Sequence, residues 1–176
     1  MMMTHMKSPL SLTLLAALCL TLTGCGEPRL GSRPVPPLFQ DMARYGLTVD
    51  LPTAASVFTG YRHNFGLSAV EPDPRLVEVA REMAATLAGR DDIKASLTQT
   101  AITERLNRRG IQVVQAGENV SAGYHTLAEA FSGWRGSKPH DQVLKLPGAT
   151  HFGIAAIYAP RSKYSVFWVL VMARKG

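Results

Sequence analysis

The apolar residues of this chain fall into three successive patterns. Leu10 to Leu22 is an uncharged run rich in Leu and Ala. Beyond it, apolar positions recur at helical spacing. Asp73-Pro74 sets an N-cap before a proline at the first helical position. From there Leu76, Val77, Ala80, Met83, Ala84 and Leu87 form one stripe on a helix that stops near Gly89. Shorter helices are predicted over Thr53 to Phe65, ended by Gly66, and over Thr100 to Arg109, ended by Gly110. Thr126 and Glu129 have capping-box spacing, and Leu127, Phe131 and Trp134 follow on one face.

Toward the C-terminus the period shortens to two. Ile111 to Gln115 and Glu118 to Ala122 are two short strand candidates. His151 to Ala159 alternates, with Phe152, Ile154, Ala156 and Tyr158 on one side. Tyr164 to Met172 carries no charge and is apolar on both sides, the signature of a strand covered on both faces. Ala159-Pro160-Arg161-Ser162-Lys163 is a hairpin-length loop between these two strands. Helices laid on an antiparallel sheet give an α+β architecture.

With 176 residues, 46% of them hydrophobic, the chain is long enough for one domain with a real core. Two cysteines and no CxxC pair exclude a disulfide scaffold and a structural zinc knuckle. The N-terminal apolar run is too short to span a bilayer, which takes about 20 residues, and follows His5 and Lys7 as the core of a secretory signal does. It ends in Leu22-Thr23-Gly24-Cys25, which resembles a bacterial lipobox. That resemblance implies cleavage before Cys25 and lipid attachment to its thiol, with Cys19 removed. Gly26, where inner-membrane lipoproteins carry aspartate, implies the outer membrane facing the periplasm. Gly26 to Pro37 contains four prolines and reads as a tether. The expected division is thus 1–24 signal, 25–45 tether and 46–176 domain.

The formal charge of +6 is concentrated in part at Lys94, Arg105, Arg108 and Arg109. Without interleaved aromatic residues this cluster does not point to nucleic acid. It reads as a solvated helix face, with contact to anionic lipid or cell-wall polymer as the alternative.

One ordered set of blocks is more specific than any of these patterns. Gly117-Glu118-Asn119-Val120-Ser121-Ala122-Gly123 is followed by Thr126-Leu127-Ala128-Glu129-Ala130. Then come Trp134, Ser137, Pro139-His140, and finally Thr150-His151-Phe152-Gly153-Ile154. This set resembles the bacterial branch of the CAP superfamily (cysteine-rich secretory, antigen 5 and pathogenesis-related proteins, or SCP-like domains). Tyr61-Arg62 and Asp73 to Ala84 resemble the family's first two helices. The resemblance implies a three-layer α–β–α sandwich with a small, mainly antiparallel sheet. It also implies a cleft that in many members holds a divalent metal on two His and two Glu. Glu118 matches one acid and His140 one histidine. No histidine lies between Asp91 and Thr98, and Ser137 stands where a carboxylate would be. His151 is a further histidine with no assigned place in that set.

Glu118 and His140, joined by His151 if the start of its strand points inward, would make at most three ligands, against about four that zinc takes. Three readings stay open: a hydrogen-bonded strut between Glu118 and His140, a ligand-binding cleft, or a divalent metal site such as zinc. Ser137, His140 and Asp141 are too close in sequence for triad geometry. The expectation is a lipid-anchored, non-enzymatic binding or structural module for a lipid, peptidoglycan fragment or envelope protein. Its rival is a hydrolase acting on peptide or cell-wall bonds through Glu118 and His140.

Overall fold

The computed structural model describes residues 34–94 and 100–176, so Cys25 and the expected signal lie outside the described residues. After a single 3-10 turn at Pro37–Phe39, helix α1 spans Leu51–His63, with Asp50 capping it by accepting the Thr53 N–H at 2.9 Å. Strand β1 is only Glu71–Pro72. Helix α2 follows over Pro74–Arg90 and α3 over Thr100–Arg108. Strand β2 spans Gln115–Ala122, helix α4 Leu127–Gly136 and helix α5 Lys138–Leu144. The chain closes with β3, His151–Ala159, and β4, Ser165–Arg174.

The expected caps are present. The Asp73 carboxylate accepts the Arg75 N–H at 2.7 Å, and Thr126 with Glu129 makes a complete capping box. The pattern predicts two strands between Gly110 and Ala122, but only one forms. Gly110, at φ +70°, closes α3: its N–H reaches the Asn107 carbonyl and that of Ile111 reaches Leu106. Ile111 is therefore the buried residue of a helix-end motif, not the start of a strand.

The sheet order is β1-β3-β4-β2, with β1 parallel to β3 and the other pairs antiparallel. β4 is the central strand and is buried on both faces, as its uncharged sequence requires. Phe167, Val169 and Val171 point toward α2 and α3, where they meet Leu76, Val79, Ala80, Leu87, Ile102 and Leu106. Val166, Trp168, Leu170 and Met172 point the other way, into a core with Phe58 of α1, Trp134 of α4 and Leu144 of α5. This is the three-layer sandwich. Gly153 lets α2 lie directly on β3, since a Cβ there would fall 2.1 Å from the Leu76 carbonyl carbon.

Pro34–Gly176 forms one compact unit. Residues 34–45, assigned by composition to the tether, belong to it: Met42 is 5% exposed and its N–H bonds the His125 carbonyl at 2.8 Å. No helix among the described residues is long and apolar enough to cross a membrane.

Candidate functional site

β2 is an outer strand of the sheet, and a cleft of about 540 Å³ runs along it. Its lining includes Gly117, Glu118 and Val120 of β2, Ile102 of α3, and His140 and Val143 of α5. Glu118 and His140 therefore share one crevice. The sequence places them there by simple geometry. Glu118 is two residues before Val120 and so shares its α3-facing side of the strand. His140 is carried on the first turn of α5, which closes on β2 at Gly117, where a Cβ would stand only 3.2 Å from Val143.

The strut expected between Glu118 and His140 is not how the two elements are joined. The Glu118 carboxylate instead meets the Arg105 guanidinium of α3 at 2.5 Å. The tie between β2 and α5 is made one residue later, where the Asn119 amide donates to the His140 carbonyl at 3.0 Å. Asn119 is fully buried, and its Oδ1 finds no partner among the described residues. Ser121, next on the same side, accepts the indole N–H of Trp134 at 3.1 Å and so fixes α4.

Two titrating groups of the cleft are displaced by burial. Burial pushes the Glu118 carboxyl above its ordinary value of 4.5, and the Arg105 charge and hydrogen bond oppose that push without overcoming it. Burial also holds the His140 ring below its ordinary 6.5. An acid and a base are thus both shifted toward neutrality.

His151 does not join them. It opens β3 between Glu71 of β1 and Ala173 of β4, its Nδ1 2.8 Å from the Thr150 hydroxyl, with β4 separating it from β2. Asp141 is also committed elsewhere: it accepts the Tyr61 hydroxyl at 2.6 Å and pairs with Lys145. With those partners Asp141 is not the carboxylate that orients His140. Among the described residues no three His, Cys, Asp or Glu stand together as metal ligands. With one carboxylate already held by an arginine, the donor set at the cleft does not fit a zinc site.

Two arginines escape sequence reasoning. Arg105 belongs by composition to a solvated cluster, yet it neighbours Leu106 on the edge of the buried face of α3, which is the signal that it turns inward. Arg62 is 1% exposed and donates to the carbonyls of Ser68, Leu144, Leu146 and Ala149 at 2.8–3.2 Å. It bolts α1 to the turn after α5, and hence to the cleft wall at Leu146.

The architecture and the blocks that build this cleft define the class of protein. The model of the CAP cysteine-rich secretory protein family matches residues 56–172, and the chain belongs to that family. Solved structures give the same fold. An outer surface protein from Borrelia burgdorferi is similar with a TM-score of 0.63 at 19% identity, covering 74% of this chain and 99% of that one. An extracellular SCP-domain protein from Bacillus anthracis has a TM-score of 0.56 at 19% identity, and a cysteine-rich secretory protein from Staphylococcus aureus 0.56 at 16%. Each covers 71% of this chain, whereas the chain spans only 40% and 38% of theirs. No curated protein sequence is a significant match.

Proposed function

We propose that this protein is a non-enzymatic CAP module, anchored in the bacterial envelope through a lipid on Cys25, whose cleft along β2 binds a lipid, a peptidoglycan fragment or another envelope protein. The observation that carries the reading is the engagement of Glu118 by Arg105. A carboxylate held by a guanidinium is a poor general base and a poor metal ligand, while Glu118 still offers polar recognition in a cleft that mixes Ile102, Val120 and Val143 with Gln115, His140 and Gln142. Envelope placement is supported by the lipobox-like Leu22-Thr23-Gly24-Cys25 sequence. The outer membrane, periplasmic side, follows from Gly26 in this reading.

Titration of the labelled protein with soluble muropeptides and with short-chain phospholipid tests the cleft. Saturable shifts at Gly117, Glu118 and Val143 are expected from one of them; shifts from neither exclude the lipid and peptidoglycan occupants. Zinc added in calorimetry is expected to give no stoichiometric heat. The anchor is tested by Cys25→Ala, which should move the protein from the membrane fraction to the soluble one.

A second reading, a hydrolase of peptide or cell-wall bonds, is favoured by the shared cleft and the opposed displacement of Glu118 and His140. Turnover of peptidoglycan or casein that disappears in Glu118→Gln would establish it over the binding module.

A further inference from the structure

We propose that the unpaired edge of β3, on the far side of the sheet from the cleft, docks an acidic, extended peptide that adds to the sheet as a further strand. β1 gives β3 only two partners, Glu71 opposite His151 and Pro72 opposite Phe152. No strand among the described residues continues that lane beside Gly153–Ala159. The direction of the backbone groups there follows from two contacts. Phe152 turns its carbonyl to this side and accepts the Asp73 N–H at 2.8 Å. Val166 accepts the Gly123 N–H, so the even residues of β4 face β2 and its odd residues face the odd residues of β3. Alternation then aims the N–H and C=O of Ile154, Ala156 and Tyr158 away from β4, and none has a backbone partner outside the sheet among the described residues.

These groups face a groove of about 540 Å³, walled by Leu47 and Val49 ahead of α1 and by Val77 of α2, with Ile154 and Ala156 on its buried floor and Tyr158 at its half-exposed end. That volume falls within the roughly 300–1,000 Å³ of ordinary ligand pockets. A row of alternating donors and acceptors at strand spacing is matched by a polypeptide backbone, and apolar walls suit its side chains. The charge is one-sided: Arg44 and Arg81 line the groove and no acid does. Arg81 is shared with Glu78, whereas Arg44 is exposed and makes no ion pair among the described residues. The same two arginines disfavour pairing with a second copy of this edge, which would bring like charges together. An acidic strand is the occupant that satisfies both the backbone row and the charge. The inference does not depend on the cleft reading, because the two sites lie on opposite edges of the sheet.

The test uses the full-length chain in a mild detergent, labelled for amide detection. The probes are capped peptides of about seven residues: alternating glutamate and valine, the lysine counterpart, and the glutamate peptide N-methylated on either set of alternate residues. The expected result is saturable shifts at Ile154, Ala156 and Tyr158, lost with one N-methylated set and kept with the other. The glutamate peptide should bind about tenfold tighter than the lysine one, the scale of one charge-assisted contact. Arg44→Glu, at an exposed position, should reverse that preference. Absence of saturable binding, equal affinity for both charges, shifts confined to β2, or self-association through the same amides would each overturn the proposal.

Discussion

Removing the Arg62 guanidinium is the sharpest perturbation of this fold. The side chain is 1% exposed and holds four carbonyl oxygens, three of them at Leu144, Leu146 and Ala149 in fully buried bonds. No carboxylate is among its bonded partners. Burial lowers its pKa from the ordinary guanidinium value, but a guanidinium stays charged wherever the protein is folded. In Arg62→Met the apolar volume is largely kept and the donors are lost. Each orphaned buried acceptor costs about 1–3 kcal/mol, offset by no longer desolvating a cation and by water that enters. A net loss of about 3–5 kcal/mol is the expected outcome, a large share of the roughly 5–15 kcal/mol by which such domains are stable. In a unit of this size that lowers the melting temperature by about 10–15 °C. Thermal and urea unfolding followed by circular dichroism give the number. Amide exchange should also accelerate at Leu146 and Ala149, whose N–H groups bond the Val143 and Leu146 carbonyls within the turn whose oxygens the cage holds. A loss below about 1 kcal/mol, or exchange unchanged there, would show that the cage is not what fastens α1 to the cleft wall.

Other residues give independent checks. Burial alone would raise the Asp73 pKa, but Lys175 and the Arg75 N–H carry it below 3.8. Its contribution is therefore fully present above that value and lost as pH falls through the lowered one, so Asp73→Asn should flatten the acid limb of a urea-stability profile. The cap itself should survive at neutral pH, because asparagine caps about as well as aspartate, so the loss there is that of the pairing with Lys175. His140, held low by burial, binds fewer protons folded than unfolded, so stability should fall as pH drops below 6.5 and His140→Gln should remove that slope. Glu118, raised by burial, has the opposite sign: stability should decline as pH rises through 4.5 toward its folded value, and Arg105→Ala should raise the Glu118 midpoint further in a carboxyl-carbon titration. Tyr61, desolvated and bonded to Asp141, should not ionise in an ultraviolet titration until about pH 12. Tyr61→Phe should cost about 1–2 kcal/mol through the lost bond to a charged acceptor.

Much of this protein is written in local pattern. The stripe after Asp73, the capping box at Thr126 and the uncharged run before Ala173 each depend on neighbours within a few residues, and each forms where the pattern puts it. The order of the blocks from Gly117 to Ile154 is likewise enough to indicate the family, since family blocks are a linear property of the chain. Glu118 and His140 are legible as cleft residues for that reason.

What the sequence left open depends on partners far along the chain. Ile111 looks like a strand residue and becomes the plug of a helix end, because Gly110 turns the backbone left-handed and offers it Leu106. α5 is a single short helix with Pro139 in its first turn, too brief for periodicity to reveal. The segment before α1 has a tether's composition, yet Met42 is buried against elements that arrive much later in the chain. Most of all, the partner of Glu118 was decided by the fold. An acid on the same strand face as Val120 fixes only which face it occupies; which cation waits there depends on how α3 is laid against β2, and that is set by the packing of Ile102 and Leu106 into the shared core.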